Sequence, residues 1–302
     1  VSGDAHSVKF EPEAKFNFRG SRVTQKGVPV EIAGRVAIVT GGGGGIGAAI
    51  AGALVDRGAK VVVTDIAATA ARGVADMLNR RVAGSAAALA GDASSVEHIE
   101  TAIELAEQRF GPVALYFANA GIAGGPGLEA SDDQWDAALD INLLAHVRAA
   151  RRLVPEWVSR GEGYFIATAS AAGLLTQLGS ATYSVTKHAA VGFAEWLAVT
   201  YGDCGVRVSC LCPMGVDTKL LRPDHIDDES ALLMQRAVES AGDVLTPERV
   251  ADDVMSGLES ETFLILPHPE VLGMYRHKGS DYDRWLRGMR RVQQGLTSPD
   301  DD

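Results

Sequence analysis

From Arg35 onward, short apolar runs alternate with longer stretches in which apolar residues recur at helical spacing. The short runs are Val36–Thr40, Lys60–Thr64, Ala86–Ala90, Val113–Ala118, Tyr164–Thr168, Val206–Leu211 and Phe263–Leu266. They are rich in Val, Ile and Ala and mostly apolar on both faces, as strands of a parallel sheet covered on both sides must be. Between them, Ile46, Ile50 and Leu54 repeat at i, i+4 and i+8 before a stop at Gly58. Val96, Ile99, Ile103 and Phe110 likewise fall near one helical face before Gly111. Strand and helix in alternation predict an α/β fold: a doubly wound parallel sheet of about seven strands with helices on both faces. No internal repeat or linker divides residues 34–302, so one domain is expected there.

Three segments depart from this rhythm. Met214–Leu245 is long and charged, and it follows a strand end, so it is expected to be a substrate lid. Leu232, Leu233 and Met234 would close inward, with Asp224, Asp227, Asp228 and Glu229 keeping the outer face solvated. Residues 267–302 form a C-terminal extension, in which Trp285, Leu286, Met289 and Val292 make one stripe of a helix over Asp281–Gln294. The acidic end from Thr297 is expected to fray. Val1–Ala33 mixes charge with glycine and lacks an apolar core run, so it reads as a surface arm and not as a signal peptide.

Composition narrows the function. The 302 residues, 46% hydrophobic, suffice for one large core. A net charge of −11 argues against nucleic acid or anionic membrane as partners, and no apolar run is long enough to span a bilayer. Cys210 and Cys212 share one face of a strand, where a local disulfide is implausible, and a reducing cytoplasm fits the three cysteines. No Cys/His pattern suggests zinc, and His268 and His277 lack a ligand spacing, so no metal is expected. Arg148, Arg151 and Arg152 read as a solvated helix face or an interface, and His188 as structural.

Candidate chemistry starts at the glycine run in VAIVTGGGGGIGAAI, from Val36 to Ile50. It follows a strand and opens a helix, the context in which glycines let a backbone approach a pyrophosphate. Read from Gly42, Gly44 and Gly47 it is the G-x-G-x-x-G of a Rossmann fold; read from Thr40 it is T-G-x-x-x-G-x-G. A phosphate loop of the Walker type fails, because Ala48 stands where a lysine is needed. Asp65 ends the second strand, at the distance where an acid bonds adenosine ribose hydroxyls. Downstream, Tyr183 and Lys187 form Y-x-x-x-K on one helical face, with Ser170 thirteen residues earlier, just past a strand.

These motifs in this order resemble the short-chain dehydrogenase/reductase family in its single-domain form, over roughly Gly34 to Leu266. The resemblance selects the register from Thr40, with Gly41, Gly45, Ile46 and Gly47 at the cofactor. It further implies cofactor contacts from Asp65 and Ile66, from Asp92 and Ala93, and from Asn119, Ala120 and Gly121. Tyr183, Lys187, Pro213, Val216 and Thr218 complete that set. Where the family has Pro-Gly, this chain has Pro213-Met214.

The implied activity is NAD-dependent hydride transfer between nicotinamide and a secondary alcohol or ketone. Epimerase or dehydratase chemistry, or an inactive nucleotide sensor, are the alternatives. Tyr183 would be general acid/base, its pKa of about 10 lowered by the Lys187 ammonium and by the positive nicotinamide ring of the oxidised cofactor. Ser170 would donate to the substrate oxygen, and Asn142 would hold a water in a relay to Lys187. Asp65 would repel the 2′-phosphate of NADP, and no Lys or Arg follows it until Arg72. Ile122, Leu174, Gln177 and Met214 are candidate pocket walls. A homotetramer or homodimer is expected, because Val191, Phe193, Trp196, Leu197 and Val199 exceed what one sheet face can cover.

Overall fold

The computed structural model describes residues 31–222 and 229–297. Its seven strands are β1 (Val36–Thr40), β2 (Lys60–Asp65), β3 (Ala86–Ala90), β4 (Val113–Ala118), β5 (Gly163–Thr168), β6 (Val206–Leu211) and β7 (Leu264–Ile265). The helices are α1 (Gly45–Asp56), α2 (Ala68–Arg81), α3 (Val96–Arg109), α4 (Asp132–Leu139), α5 (Ala145–Arg160), α6 (Ala181–Tyr201), α7 (Glu229–Ala241), α8 (Pro247–Glu259), α9 (Glu270–Ser280) and α10 (Tyr282–Thr297). All strand pairs are parallel, in the order β3-β2-β1-β4-β5-β6-β7. The seven predicted runs are therefore the seven strands. Chain order reverses between β1 and β4, and the crevice beyond the carboxyl ends of those strands is where such sheets bind ligands.

Strand alternation splits the core into two layers. Val36, Ile38, Phe165 and Ala167 point to the side of α3, α5 and α6, where Trp157, Leu153 and Leu197 pack. Ala37, Val39, Phe117 and Ile166 point to the side of α1, α2 and α8, against Leu54, Leu78 and Met255. Trp157 is fully buried and spends its indole N–H on the Val113 carbonyl at 2.9 Å, so a polar atom enters the core with its bond satisfied. The N-terminal arm needs one correction: Ile32 is buried in the second layer, so the arm's last residues join the core. Residues 1–30 and Asp224, Asp227 and Asp228 lie outside the described residues. No described helix is long and apolar enough to cross a membrane.

His146 on α5 is buried, its ring 6.3 Å from that of Phe165, and neither ring nitrogen has a hydrogen-bond partner. Burial, helped by the nearby Lys187 charge, lowers its pKa from 6.5 to about 3. The unfolded chain thus takes up this proton near pH 6.5, whereas the fold resists it until about pH 3. Stability is retained above pH 6.5 and is lost as pH falls from there toward 3, by about 1.4 kcal/mol per unit. His146→Phe should therefore remove roughly 2 kcal/mol of the stability lost between pH 7 and pH 5. Urea unfolding at the two pH values measures this; an unchanged pH dependence would show that His146 does not contribute.

Candidate active site

The glycine run turns sharply out of β1 into α1. Left-handed backbone occurs at Gly41 (φ 61°) and Gly45 (φ 50°), and α1 starts at Gly45. Gly42 and Gly44 do not adopt it, so the backbone follows the spacing that begins at Thr40. Gly47 lies under the loop, where an added Cβ would stand 2.3 Å from the Gly41 carbonyl oxygen. The Asp65 carboxylate accepts the Gly43 N–H at 3.0 Å and the Ala67 N–H at 2.9 Å. It is thereby fixed at the lip of a cleft of about 570 Å³.

That cleft brings together most of the residues singled out from sequence. Gly41, Gly45, Ile46 and Asp65 line one end; Asn119, Ala120, Gly121 and Thr168 the middle; Ser170, Tyr183, Lys187, Pro213, Val216 and Thr218 the rest. Gly47, Ile66, Asp92, Ala93 and Asn142 are not in its lining. Ile66 is exposed beside Asp65, and one Asp92 oxygen accepts both the N–H and the hydroxyl of Ser94, which holds the turn before α3.

Strand ends hold the cleft rigid. The Thr40 hydroxyl donates to the Phe117 carbonyl and accepts the N–H groups of Asn119 and Ala120. The Asn119 amide donates to the Thr40 carbonyl at 2.9 Å, and its oxygen accepts the Thr168 hydroxyl at 3.3 Å. Lys187 then donates to the Thr168 carbonyl at 3.0 Å. Thr168 carries no motif signal of its own, and only the register of β4 against β5 reveals its place.

Tyr183 and Lys187 sit one turn apart near the start of α6, capped by Ser180, and both are buried. Lys187 Nζ lies 5.6 Å from the Tyr183 ring centre, and the Ser170 hydroxyl donates to the Pro213 carbonyl at 3.4 Å and accepts the Ala172 N–H at 3.1 Å. Burial lowers the Lys187 pKa to about 8. Within the protein alone Lys187 does not lower the Tyr183 pKa; burial raises it, outweighing the pull of the neighbouring Ser170 hydroxyl. Asn142 stands in a π-helical turn, Asp140–Leu144, between α4 and α5. Its oxygen accepts the Ile122 N–H at 2.9 Å, and its amide donates to the Ile122 carbonyl and the Thr186 hydroxyl, each at 3.0 Å. An added Cβ on Gly121 would stand 3.2 Å from the Asn142 oxygen and 3.3 Å from Lys187 Nζ, so a side chain there would crowd both.

A second cavity of about 660 Å³ adjoins the first and shares Ser170, Gln177, Met214 and Val238 with it. Ile122 and Leu174 are not in its lining; Leu174 packs into the core, and Leu175 faces the cavity instead. Of the apolar α7 residues expected to close inward, Met234 lines the cleft, whereas Leu232 is partly exposed. Gln177 ties down this helix by donating to the Met234 carbonyl at 3.3 Å. Met214 stands where glycine was expected, yet its backbone is not left-handed, so the substitution brings no strain there.

Two positioning residues escaped sequence reasoning. His268 is buried; its Nδ1 accepts the Met214 N–H at 3.1 Å while its Nε2 bonds the Asp243 carbonyl at 3.1 Å. Lys278, 5% exposed, donates to the Leu174 and Leu175 carbonyls, each at 2.8 Å, and lies 3.4 Å from His188 Nε2. It fastens α9 to the loop after Ser170. His188 is otherwise bonded to the Ser184 carbonyl, in the structural role expected of it. Arg148 pairs with Asp140, and Arg152 with Glu100 and Glu156, which gives the predicted solvated helix face its partners. Cys210 and Cys212 do share a face, with sulfurs in hydrogen-bond contact at 3.7 Å.

A parallel sheet of this order, with a glycine loop at the switch point and a Ser-Tyr-Lys group beside it, defines a nucleotide-dependent oxidoreductase fold. The chain matches the model of the short chain dehydrogenase family over residues 35–229 and belongs to that family. It is 32% identical to cyclohexanol dehydrogenase of Acinetobacter sp., over 81% of this chain and 96% of that one. It is 31% identical to 1-deoxy-11-beta-hydroxypentalenate dehydrogenase of Streptomyces avermitilis, over 78% of this chain and 85% of that one. Among solved structures, a short chain dehydrogenase/reductase from Burkholderia phymatum in complex with NAD superposes with a TM-score of 0.77 at 28% identity, covering 84% of this chain and 95% of that one.

Proposed function

We propose that the chain is an NAD-dependent oxidoreductase that interconverts a secondary alcohol and its ketone. The observation that carries this reading is the single cleft that runs from the Asp65 carboxylate and the glycine loop to Ser170, Tyr183 and Lys187. The family and the NAD-bound relative support it. Gly41, Gly45 and Ile46 would take the pyrophosphate against the start of α1, and Asp65 the adenosine ribose. Asn119, Ala120 and Gly121 would flank the middle of the dinucleotide, and Pro213, Val216 and Thr218 the carboxamide. Bound NAD would supply the hydride acceptor.

The side chains do the rest. Tyr183 takes the hydroxyl proton as the C–H hydride leaves, and Ser170 donates to the oxygen that is becoming a carbonyl. Alcohol and NAD⁺ thus give ketone, NADH and one proton. Lys187, its pKa about 8, is mostly charged at neutral pH and stabilises the Tyr183 anion. Asn142 is a positioning residue that fixes Ile122 and the π-helical turn; a relay water would use the remaining lone pair of its oxygen. The α7 segment serves as the lid over this site. The three free cysteines suit a reducing cytoplasm.

We further propose a homodimer or homotetramer built on α6. Val191 and Leu197 are spent on the chain's own core, but Trp196 is 54% and Val199 86% exposed. Val185 on the same helix and Val158 on α5 extend this apolar face.

Tyr183→Phe keeps the ring and removes the acid/base group. Turnover should fall by roughly 10²–10⁴-fold with NAD affinity little changed, measured by initial rates and by titration. Because Tyr183 acts as base in one direction and acid in the other, raising the pH from 6 toward 8, below the loss of the Lys187 charge, should quicken alcohol oxidation relative to ketone reduction, as initial rates would show. NADP should bind roughly tenfold or more weakly than NAD, because its extra phosphate meets the Asp65 carboxylate; equal titration curves would reverse the cofactor choice. Light scattering at micromolar concentration should give a dimer or tetramer, and a monomer would overturn the α6 interface.

A further inference from the structure

The second cavity is walled on its outer side by the C-terminal extension. Trp285, Met289 and Val292 of α10 turn their stripe inward, opposite Leu175 and Met214. Between them the walls are largely apolar, and the volume of about 660 Å³ exceeds what a short-chain alcohol fills. Three side chains break this character: Arg284 and Arg291 on α10, and His277 on α9. The lining contains no aspartate or glutamate.

Both arginines are exposed to solvent as well as lining the cavity. Neither guanidinium forms an ion pair or side-chain hydrogen bond among the described residues. Elsewhere in the chain, Arg35, Arg81, Arg148, Arg152 and Arg207 each hold a carboxylate within 3 Å. Arg284 and Arg291 stand seven residues apart, two helical turns, so they share a face about 10 Å long that also presents Gly288 to the cavity. Arg284 lies in the first turn of α10, where the helix dipole disfavours a cation. In a protein of net charge −11, helix α10 carries four arginines against one aspartate. Two cations lining a largely apolar cavity whose walls carry no acid suit an anion.

We propose that the substrate is a bulky, largely alicyclic alcohol or ketone that carries a carboxylate remote from its reacting carbon. The reacting carbon sits at Ser170 and Tyr183, the ring system against Leu175, Met214 and Trp285, and the carboxylate at Arg284 and Arg291, with His277 adding a donor. Guanidinium and carboxylate match as planar, forked partners. This assignment rests on the dehydrogenase reading for the position of the reacting carbon, whereas the anion site stands on the cavity itself.

The test uses the full chain loaded with NADH, and three hydroxy acids of increasing size: 4-hydroxycyclohexane carboxylate, a hydroxydecalin carboxylate and lithocholate, each beside its methyl ester. Calorimetry reads binding, and NAD reduction is followed in parallel. At least one acid should bind about tenfold more tightly than its ester, with the margin shrinking as salt is raised. In the double variant Arg284→Gln/Arg291→Gln the acid-to-ester ratio should collapse toward one, and Arg284→Lys/Arg291→Lys should restore part of it. Equal binding of acid and ester in every pair, no binding by any acid, or an unchanged ratio in the Gln variant overturns the proposal. If the ratio behaves as expected but no alcohol reduces NAD, the anion site stands and the dehydrogenase reading falls. If neutral alcohols reduce NAD while acids gain nothing, the reverse holds.

Discussion

The site depends on one chain of hydrogen bonds across the carboxyl ends of three neighbouring strands. Thr40 ends β1, Asn119 follows β4 and Thr168 ends β5, and they are linked side chain to backbone and side chain to side chain. Lys187 then closes on the Thr168 carbonyl. The glycine loop at one end and the lysine at the other are therefore not independently placed. Parallel strands leave unpaired carbonyl and N–H groups where the sheet stops, and buried groups of that kind must find partners. Here those obligations are met by the same side chains that set the distance between the glycine loop and Lys187.

Burial gives the same residues their electrostatic character. Lys187 is 3% exposed and bonded to a carbonyl, and desolvation brings its pKa close enough to neutrality for its charge to respond to what binds beside it. Tyr183 is pushed the opposite way by the same desolvation. In the free cleft the pair therefore rests as a neutral phenol beside a weakened ammonium. A positive charge arriving next to the phenol would favour its anion, so base strength would develop only in the filled cleft. This is a physical reason for the cleft and the Tyr183–Lys187 pair to share one wall.

Much of this was legible in the sequence because it is local. Strand positions follow from short runs apolar on both faces, and the glycine register from a motif spanning a single turn. Tyr183, Lys187 and Ser170 were found by spacing along one helix and its preceding loop. What stayed hidden depends on contacts between distant segments. Lys278 meets Leu174 across more than a hundred residues, and His268 meets Met214 across fifty-four. The α10 stripe marked a helix, but nothing in it said that the stripe would roof the cavity next to Ser170. Leu174 and Leu175 were indistinguishable by pattern, and only the short 3₁₀ turn at Ala171–Gly173 decides which of them faces inward. The direction of the Tyr183 shift within the protein alone was missed for a related reason, since proximity to Lys187 is visible in sequence and the degree of burial is not.

The two kinds of residue also divide the molecule by task. Strand ends and α6 hold Thr40, Asn119, Thr168, Tyr183 and Lys187, and they are tied to the sheet. Met214, α7, α9 and α10 shape the volume beyond Ser170, and they are tied mainly to one another and to the loop after it. His268 and Lys278 are the fasteners between these parts. One clamps the strand-end residue Met214, and the other clamps the carbonyls just past Ser170. A change of cavity shape can therefore occur in the outer helices without disturbing Thr40, Asn119 or Lys187. The reverse does not hold, because a shift of β5 would move Thr168 and Ser170 together and so displace both the lysine and the floor of the substrate cavity.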